Sequence, residues 1–275
     1  MPELFFFNVD FNLIQPEQQI NLLKKNTINI INVKIKKNKK KIITLNHDNK
    51  YIFDCFKIAF KILKNKSTYK FLNGPINKNN FLNKKYLGIT EYLAKNFNKK
   101  DIGMLIYNKK LSVCPVTTHL PVKLVSKKIT KTLIIDRLIM INDFFMKNFK
   151  LKPKIAVTGL NPHCESILNY NEDDEIVLPA ITSAKKKGIL VSGPYAADTV
   201  FLKQNRKKFN VILGMYHDQV LTPLKTLFEY NAINITMGLP FLRVSPDHGP
   251  NEKMVNKNLS NPTSLAQALK FLDKI

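Results

Sequence analysis

Three histidines, each placed just after a predicted buried strand, are the side chains in this sequence most able to do chemistry. His119, His163 and His217 follow the runs SVCPVT, KIAVTG and VILGM, in turns rich in polar residues or proline. Ligands of open α/β sheets bind outside the carboxyl ends of the strands. Three imidazoles without a cysteine partner suit Zn²⁺ or a similar divalent ion that keeps one position open for substrate. The alternative is three separately hydrogen-bonded loop histidines, and the equivalent strand ends favour the metal site. His47, beside a Lys-rich stretch, is assigned no such role.

A scarce arginine extends the candidate site. The chain has three arginines among its 44 basic residues, and Arg243 follows the apolar pair Pro240 and Phe241. A guanidinium in that position is expected to bind a carboxylate or phosphate in a bidentate manner. Lys225 and Asn234 lie between His217 and Arg243 in the sequence. Lys225 taken alone could equally be a surface charge.

Strand and helix patterns alternate along the chain and predict an α/β protein with a largely parallel sheet. Apolar runs predict strands at Tyr69–Leu72, Ile102–Tyr107, Ser112–Thr117, Lys154–Gly159, Val211–Met215 and Ala232–Met237. Apolar residues at helical spacing predict helices from Tyr51 onward and over Thr90–Asn96, Ile129–Lys147, Leu178–Lys187 and Thr263–Leu272. The Lys-rich stretch 34–41 is expected to be a solvated loop or a strand edge. No repeat or clean domain boundary is visible.

The composition gives a net charge of +24 over 275 residues, which raises nucleic-acid binding as a function. Three observations favour a biased composition instead, and we expect no nucleic-acid partner. Arginine is nearly absent, and Lys is accompanied by abundant Asn, Ile and Phe. The charge is also uneven: residues 1–150 hold 29 basic and 9 acidic side chains, whereas residues 151–275 hold 15 and 11.

The sequence also predicts a protein of the cytoplasm that does not enter a membrane. No apolar run approaches the roughly 20 residues that a membrane span needs, and the first ten residues lack the basic start of a signal peptide. Cys55, Cys114 and Cys164 are scattered and form no CxxC pair. We therefore expect reduced thiols.

Eight motifs in a fixed order carry a resemblance to a known enzyme family. They are NGPINK (73–78), GITEY (88–92), TTHLP (117–121), GLNPH (159–163), GPYAADT (193–199), MYHDQ (215–219), NITMGLPFLR (234–243) and DHG (247–249). From about Tyr51 to the C-terminus the chain closely resembles the 4-hydroxythreonine-4-phosphate dehydrogenases, the PdxA enzymes of vitamin B6 biosynthesis.

The resemblance implies a two-domain fold like that of isocitrate and isopropylmalate dehydrogenases, in a homodimer with the active site at the interface. Its first domain would comprise residues 1–85 and 232–275, and its second residues 86–231. The family's metal ligands fall on His119, His163 and His217, which would hold one divalent ion (Zn, Mg or Co). Its substrate contacts fall on four residues: Thr90, Lys225, Asn234 and Arg243.

The implied reaction uses NAD or NADP to oxidise the secondary alcohol of a phosphorylated substrate, 4-phosphohydroxy-L-threonine. The resulting β-keto acid then loses CO₂ to give 3-amino-2-oxopropyl phosphate. A bound cation would polarise the alcohol and stabilise the enolate formed on decarboxylation.

Departures from the family pattern concern the substrate side first. The His before the substrate-binding Thr is Ile89 here, which removes one polar contact. A second family His is replaced by Asn77, although Lys78 remains. The Gly/Pro-rich motif PGEPxGIGPE is not found, so we expect a shortened first domain that begins near the family's second strand.

The cofactor loop departs as well. The run HGPNEKMVNKNLSNP from residue 248 has the spacing of a loop in which His and a late Asn contact the adenine, and this makes His248 and Asn261 the candidates. The acidic residue expected to accept the ribose hydroxyl falls on Lys253, with Glu252 just before it, and a glycine of the loop is Asn256. A cation there tolerates a 2′-phosphate, so we expect a relaxed preference with NAD still favoured.

Two alternatives stay open. Loss of the contact at Ile89 fits a related dehydrogenase that acts on another phosphorylated four-carbon hydroxy acid. A protein of a different class, non-catalytic or polyanion-binding, would use the basic first half and bind nucleic acid with a steep salt dependence.

Overall fold

The structure is a computed structural model that describes residues 10–15, 23–34, 45–77, 86, 88–167, 170–250, 254, 257 and 259–275. The chain divides into two compact units. The smaller unit comprises residues 1–69 and 78–84, and the larger one comprises residues 70–77 and 85–275. Apart from its first residue, Lys34, the Lys-rich stretch lies outside the described residues.

The smaller unit contains a pair of strands and a helix. β1 (Phe11–Ile14) pairs in parallel with β2 (Ile28–Ile31), and Asn12 Nδ2 donates a hydrogen bond to Asn29 Oδ1 at 2.7 Å. α1 (Leu45–Lys64) begins six residues before the helix predicted from Tyr51. Phe56, Phe60 and Leu63 are buried at helical spacing, as the apolar pattern predicted.

An eight-stranded sheet, formed within the described residues, is the scaffold of the larger unit. Its strands are β3 (Lys70–Leu72), β4 (Gly103–Tyr107), β5 (Ser112–Thr117), β6 (Ile155–Thr158), β7 (Val191–Tyr195), β8 (Val211–Tyr216), β9 (Ile233–Met237) and β10 (Leu242–Pro246). Their order across the sheet is β3-β10-β9-β4-β5-β8-β6-β7. The four neighbouring strands β5, β8, β6 and β7 run parallel to one another, and β10 is parallel to β3. The remaining pairs are antiparallel: β4 with β5, β4 with β9, and β9 with β10.

Helices of very different lengths connect these strands. They are α2 (Ile89–Asn96), α3 (Val125–Lys128), α4 (Lys131–Phe149), α5 (Leu178–Lys186), α6 (Ala197–Val200), α7 (Lys203–Arg206), α8 (His217–Phe228) and α9 (Thr263–Lys274). The longest of them in this unit, α4, begins after Thr130, whose Oγ1 accepts a hydrogen bond from the Leu133 N–H at 3.2 Å. None of the described helices is long and apolar enough to cross a membrane.

The sheet has a hydrophobic core on each face. Val157 and Leu213 belong to one buried cluster, and their chain neighbours Ala156 and Ile212 belong to the other. Side chains that alternate along a strand point to opposite faces. Burial on both faces explains why β5, β6 and β8 read as continuous apolar runs. The predicted α/β class with a largely parallel sheet is confirmed.

Six helices and strands of the larger unit were not predicted: α3, α6, α7, α8, β7 and β10. β7 contains Gly193 and Pro194, and α8 contains Pro223, residues that usually interrupt strands and helices. β10 carries Arg243 in a short run that has no clear alternation. The expected division into two domains, with boundaries at residues 85/86 and 231/232, stays a prediction. The eight-stranded sheet includes strands from both of the expected domains.

Candidate active site

Three adjacent parallel strands bring the histidine-bearing turns to one edge of the sheet. β8 lies between β5 and β6, and Thr117 at the end of β5 is opposite Tyr216 at the end of β8. His119 follows β5 by two residues, and His217 is the first residue of α8. His163 follows the end of β6 by five residues.

His119 and His217 are the two imidazoles that the structure places side by side, with their ring planes inclined by 40°. Their ring centroids are 6.0 Å apart. His217 Nδ1 lies 2.6 Å from Asp218 Oδ1. His119 Nδ1 is buried, makes no hydrogen bond within the described part of the chain, and lies 3.6 Å from Glu91 Oε1. At this distance the Glu91 carboxylate is an electrostatic neighbour of the His119 ring and not a hydrogen-bond partner.

Gly88 permits this arrangement because it precedes α2 in close contact with both side chains. A Cβ at Gly88 would lie 2.9 Å from Glu91 Oε2 and 3.5 Å from His119 Cε1. Any larger residue would displace the Glu91 carboxylate from its position beside the imidazole.

His163 does not join this pair. It is exposed, with φ +58°, in a short helical turn at Pro162–Cys164. Among the described residues, no three His, Cys, Asp or Glu side chains are grouped closely enough to hold one metal ion. Of the three predicted metal ligands, the described part of one chain therefore brings together only His119 and His217.

The His163 turn is itself held by a buried carboxylate that the sequence reading missed. Asp173 is fully buried and accepts hydrogen bonds from the Leu160 N–H at 2.6 Å and the Asn161 N–H at 3.0 Å. Gly159 lets this carboxylate approach, since a Cβ there would lie 2.9 Å from Asp173 Oδ1. A buried Asp fourteen residues beyond Gly159 leaves no local sequence signal.

Gln219 links the ends of β6 and β8 and was also missed. Its Oε1 accepts hydrogen bonds from Thr158 Oγ1 at 2.8 Å and from the Met215 N–H at 2.7 Å, and its Nε2 donates to the Gly159 carbonyl at 2.7 Å. All the polar groups of its amide are engaged. Gln219 therefore fixes the two strand ends that carry His163 and His217, and its place in the MYHDQ motif was the available signal.

Arg243 lies deep in the sheet rather than on the surface. It is 3% exposed, its Nε donates to Asn73 Oδ1 at 2.8 Å, and its Nη1 donates to Thr236 Oγ1 at 3.1 Å. Burial lowers the pKa of Arg243 to about 10, and the negative charge of Glu91 opposes that shift. A guanidinium that keeps its charge among neutral partners is well suited to an anionic ligand.

Lys225 forms an ion pair with a buried carboxylate. Its Nζ lies 2.6 Å from Asp247 Oδ2 and also donates a hydrogen bond to the Asp247 carbonyl. Burial raises the pKa of Asp247, whereas the charges of Lys225, His217 and His248 oppose the rise. Lys225 is thus held in an ion pair while partly exposed, and its contact with substrate stays a prediction. In the sequence, Asp247 is notable only as the first residue of the DHG motif.

A serine anchors this ion pair to the rest of the fold. The Asp247 N–H donates to Ser264 Oγ at 2.9 Å, and Ser264 Oγ donates to the Ala232 carbonyl at 2.5 Å. Nearby in sequence, Asn234 on β9 has a buried Oδ1 without a hydrogen-bond partner among the described residues. This amide oxygen is available to a ligand.

Thr90 and the cofactor candidates complete the predicted residues. Thr90 lines a cavity of about 330 Å³ together with His119. His248 is exposed, and its Nδ1 lies 3.0 Å from the Gly249 carbonyl. Asn261 is exposed, and its Oδ1 accepts a hydrogen bond from the Thr263 N–H at 2.9 Å at the start of α9. Lys78, Glu252, Lys253 and Asn256 lie outside the described residues.

The His119 and His217 pair fits a divalent metal ion as two of its ligands. With metal–nitrogen bonds of about 2.0–2.1 Å at a tetrahedral angle, two imidazoles on one ion would hold their ring centroids about 5 Å apart. The observed spacing of 6.0 Å is somewhat longer, so the two rings would have to approach each other to share an ion. The buried His119 Nδ1 also has no competing hydrogen bond among the described residues.

Comparisons with known proteins agree on one family. A family model described as pyridoxal phosphate biosynthetic protein PdxA matches residues 2–272, which extends well before Tyr51. The 4-hydroxythreonine-4-phosphate dehydrogenase of Sulfurihydrogenibium sp. (strain YO3AOP1) is 43% identical over 188 residues, a match that covers 68% of this chain and 58% of that protein. The match thus spans less than two thirds of that relative's own length.

Two further matches bear on fold and substrate. The crystal structure of 4-hydroxythreonine-4-phosphate dehydrogenase from Klebsiella pneumoniae superposes with a TM-score of 0.79 at 28% identity, covering 97% of this chain and 83% of that one. The D-threonate 4-phosphate dehydrogenase of Salmonella typhimurium (strain LT2) is 36% identical over 223 residues, covering 80% of this chain and 68% of that protein.

Proposed function

The chain belongs to the PdxA family of pyridoxal phosphate biosynthetic proteins, and on that premise we propose that it is a 4-hydroxythreonine-4-phosphate dehydrogenase. It would oxidise the secondary alcohol of 4-phosphohydroxy-L-threonine with NAD or NADP, and the product would lose CO₂ to give 3-amino-2-oxopropyl phosphate. The observation that carries the proposal is the neighbouring pair His119 and His217, 6.0 Å apart, at the sheet edge that also presents the Lys225 ammonium. Lys225 and His217 both lie close enough to Asp247 to affect the pKa of its carboxyl group, which supports their proximity.

The protein's own residues would bind and orient the substrate. Lys225 and Arg243 supply fixed positive charge for its carboxylate or its phosphate group, and Asp247 and Asn73 hold those cations in place. The unpaired Oδ1 of Asn234 can accept a hydrogen bond from a substrate hydroxyl or amine. Thr90 adds a hydroxyl from the start of α2.

Two groups outside the chain would supply the remaining chemistry. When bound, a divalent ion would supply charge that polarises the alcohol and stabilises the negative charge of decarboxylation, and a nicotinamide would supply the hydride acceptor. His119 and His217 would hold the ion, with His163 as the third ligand, and neutral imidazoles favour zinc or cobalt over magnesium.

A homodimer with the active site at the interface is part of this proposal. His163 is exposed at its turn and is accessible to a second copy of the chain. His248 and Asn261 are proposed to contact the cofactor's adenine, with NAD favoured over NADP but not exclusively. The protein would act in the cytoplasm on a phosphorylated small molecule, without a nucleic-acid or membrane partner.

A second candidate function is oxidation of a related four-carbon acid such as D-threonate 4-phosphate. The similarity to the Salmonella typhimurium enzyme supports it. Ile89, which is 7% exposed and apolar at the family's polar position, supports it as well. Loss of one polar contact changes discrimination between similar substrates.

Initial rates with a panel of acids separate these functions. The full chain is assayed with 4-phosphohydroxy-L-threonine, D-threonate 4-phosphate and their unphosphorylated forms, each with NAD and with NADP. The proposal predicts the highest kcat/KM for 4-phosphohydroxy-L-threonine. A tenfold preference for D-threonate 4-phosphate would establish the second function instead. Absence of turnover with every acid, combined with salt-dependent retention on a DNA column, would favour the polyanion-binding alternative.

A further inference from the structure

The cavity beside Thr90 carries an unexpected concentration of positive charge. Its volume is about 330 Å³, and Thr90 and His119 line it on the active-site side. Its remaining charged lining consists of four cations, Lys95, Lys99, Lys100 and Arg137, with Glu91 as the one carboxylate in the described lining. A cavity of this composition attracts an anion.

The three lysines alone would be weak grounds for a binding site. The chain is rich in lysine throughout, these three are exposed, and they lie at or just beyond the C-terminus of α2, where cations are favoured by the helix dipole. They contribute to the field in the cavity without requiring a ligand.

Arg137 is different because its side chain is held in place and yet lacks an anionic partner. It is half-buried on α4, and its Cδ lies 3.6 Å from where a Cβ on Gly103 would stand. Its Nη1 lies 4.0 Å from Met140 Sδ, and no carboxylate within the described residues is close enough to form an ion pair with it. A half-buried guanidinium whose described neighbours include no ion-pair partner is available to a ligand oxyanion.

Ile89 explains why such a cation would be useful here. Its side chain is 7% exposed and belongs to the buried residues of α2, so the polar group of the family's His is lost from the site. Arg137 restores a permanent positive charge to the cavity that Thr90 lines. Its fork of donors also fits a phosphate better than a single imidazole would.

We propose that this cavity binds the phosphate group of the substrate, with Arg137 as its main cationic contact and Thr90 as a hydroxyl donor. This inference rests on the proposed function, since it assigns the phosphate end of a phosphorylated hydroxy acid. Lys225 and Arg243 are then left to bind the carboxylate end beside the His119 and His217 pair. Arg137 would thus determine specificity for phosphorylated over unphosphorylated acids.

The test combines two substitutions of Arg137 with a matched control. Arg137→Met keeps the apolar part of the side chain against Gly103 and Met140 but removes the charge, and Arg137→Lys keeps the charge without the fork. Arg206→Met removes another half-buried arginine, whose Nη1 donates to the Phe201 carbonyl away from this cavity. Circular dichroism melts establish that all three variants fold.

Two readouts are measured: KM and kcat for each phosphorylated acid, and the dissociation constant of inorganic phosphate by calorimetry. Because charge-assisted hydrogen bonds are lost, Arg137→Met should raise KM and the phosphate dissociation constant by about 10- to 100-fold, with kcat nearly unchanged. Arg137→Lys should recover part of the loss, and Arg206→Met should match the wild type.

Three outcomes would overturn the proposal. They are wild-type KM in folded Arg137→Met, an equal effect in Arg206→Met, and a rise in KM for NADP instead of for the acid. The last would mean that the cavity takes the cofactor's 2′-phosphate. If the wild type turns over no acid, the proposed function fails, and the phosphate dissociation constants still decide whether Arg137 binds a phosphoryl group.

Discussion

Two parts of the active site differ in how completely this single chain assembles them. The cation cluster comprises two groups: the buried Arg243, which donates hydrogen bonds to Asn73 and Thr236, and the partly exposed Lys225, which forms an ion pair with the buried Asp247. The imidazole edge, made of His119, His163 and His217, brings together two rings and leaves the third exposed.

The difference shows what each part requires. Buried cations are costly unless they have partners, so the fold provides those partners itself and holds the charges in place. Imidazoles carry no such cost when they are neutral and partly exposed. Their final arrangement can therefore depend on a metal ion and on a second copy of the chain.

Removal of one imidazole should have the largest effect. His217→Ala deletes one of the two neighbouring metal ligands, and we expect turnover to fall by about 10³-fold or more because metal catalysis is worth several kcal/mol. Metal content by mass spectrometry and initial rates are measured together. His47→Ala, which removes an imidazole from α1 in the smaller unit, is the control. If His217→Ala retains both the bound metal and turnover, the assignment of the imidazole edge is wrong.

A substitution in the cation cluster should affect both binding and stability. Arg243→Lys keeps a charge but loses the two directed hydrogen bonds to Asn73 and Thr236. We expect KM for the substrate to rise by about 10- to 100-fold and the free energy of unfolding to fall by about 1–3 kcal/mol. Steady-state kinetics and urea denaturation measure the two effects. Wild-type stability in Arg243→Lys would contradict the account of a preassembled cluster.

Asp247→Asn should give a smaller change with a characteristic pH dependence. Loss of the ion pair to Lys225 should lower kcat/KM by about tenfold. Because burial raises the pKa of Asp247 in the folded protein, ionising this carboxylate costs stability. That cost is absent at low pH, grows as the pH rises above the unfolded-state pKa, and is complete above the folded-state pKa. The variant's unfolding free energy, relative to wild type, should therefore increase between pH 3 and pH 7.

Urea unfolding at a series of pH values checks this sign. A relative stability of Asp247→Asn that decreases with rising pH would show that the attraction of Lys225 outweighs burial. Lys128→Gln, which changes an exposed charge at the end of α3, is the control. Its stability relative to wild type should not change over the same pH range.

The sequence predicted the positions of the histidines well because their signal is local. Each follows a strand buried on both faces, and such strands are continuous apolar runs that end abruptly at polar turns. The strand Ser112–Thr117 was predicted with its observed bounds, and parallel neighbours necessarily end at one edge of the sheet.

The supporting residues could not be predicted in the same way, since their partners are distant in sequence. Asn73 meets Arg243 across 170 positions, and Asp247 meets Lys225 across 22. Such pairs depend on strand order, and the placement of β10 between β3 and β9 has no local signature. The spacing of His119 and His217 similarly follows from the pairing of β5 with β8.

The central claim is that the imidazole edge holds a metal ion that a PdxA-type dehydrogenation requires. The most direct measurement is turnover of 4-phosphohydroxy-L-threonine with NAD or NADP, before and after chelation and after Zn²⁺ is added back. The account predicts that chelation abolishes turnover and that Zn²⁺ restores it in the wild type but not in His217→Ala. Full turnover by the metal-free wild-type protein would contradict it.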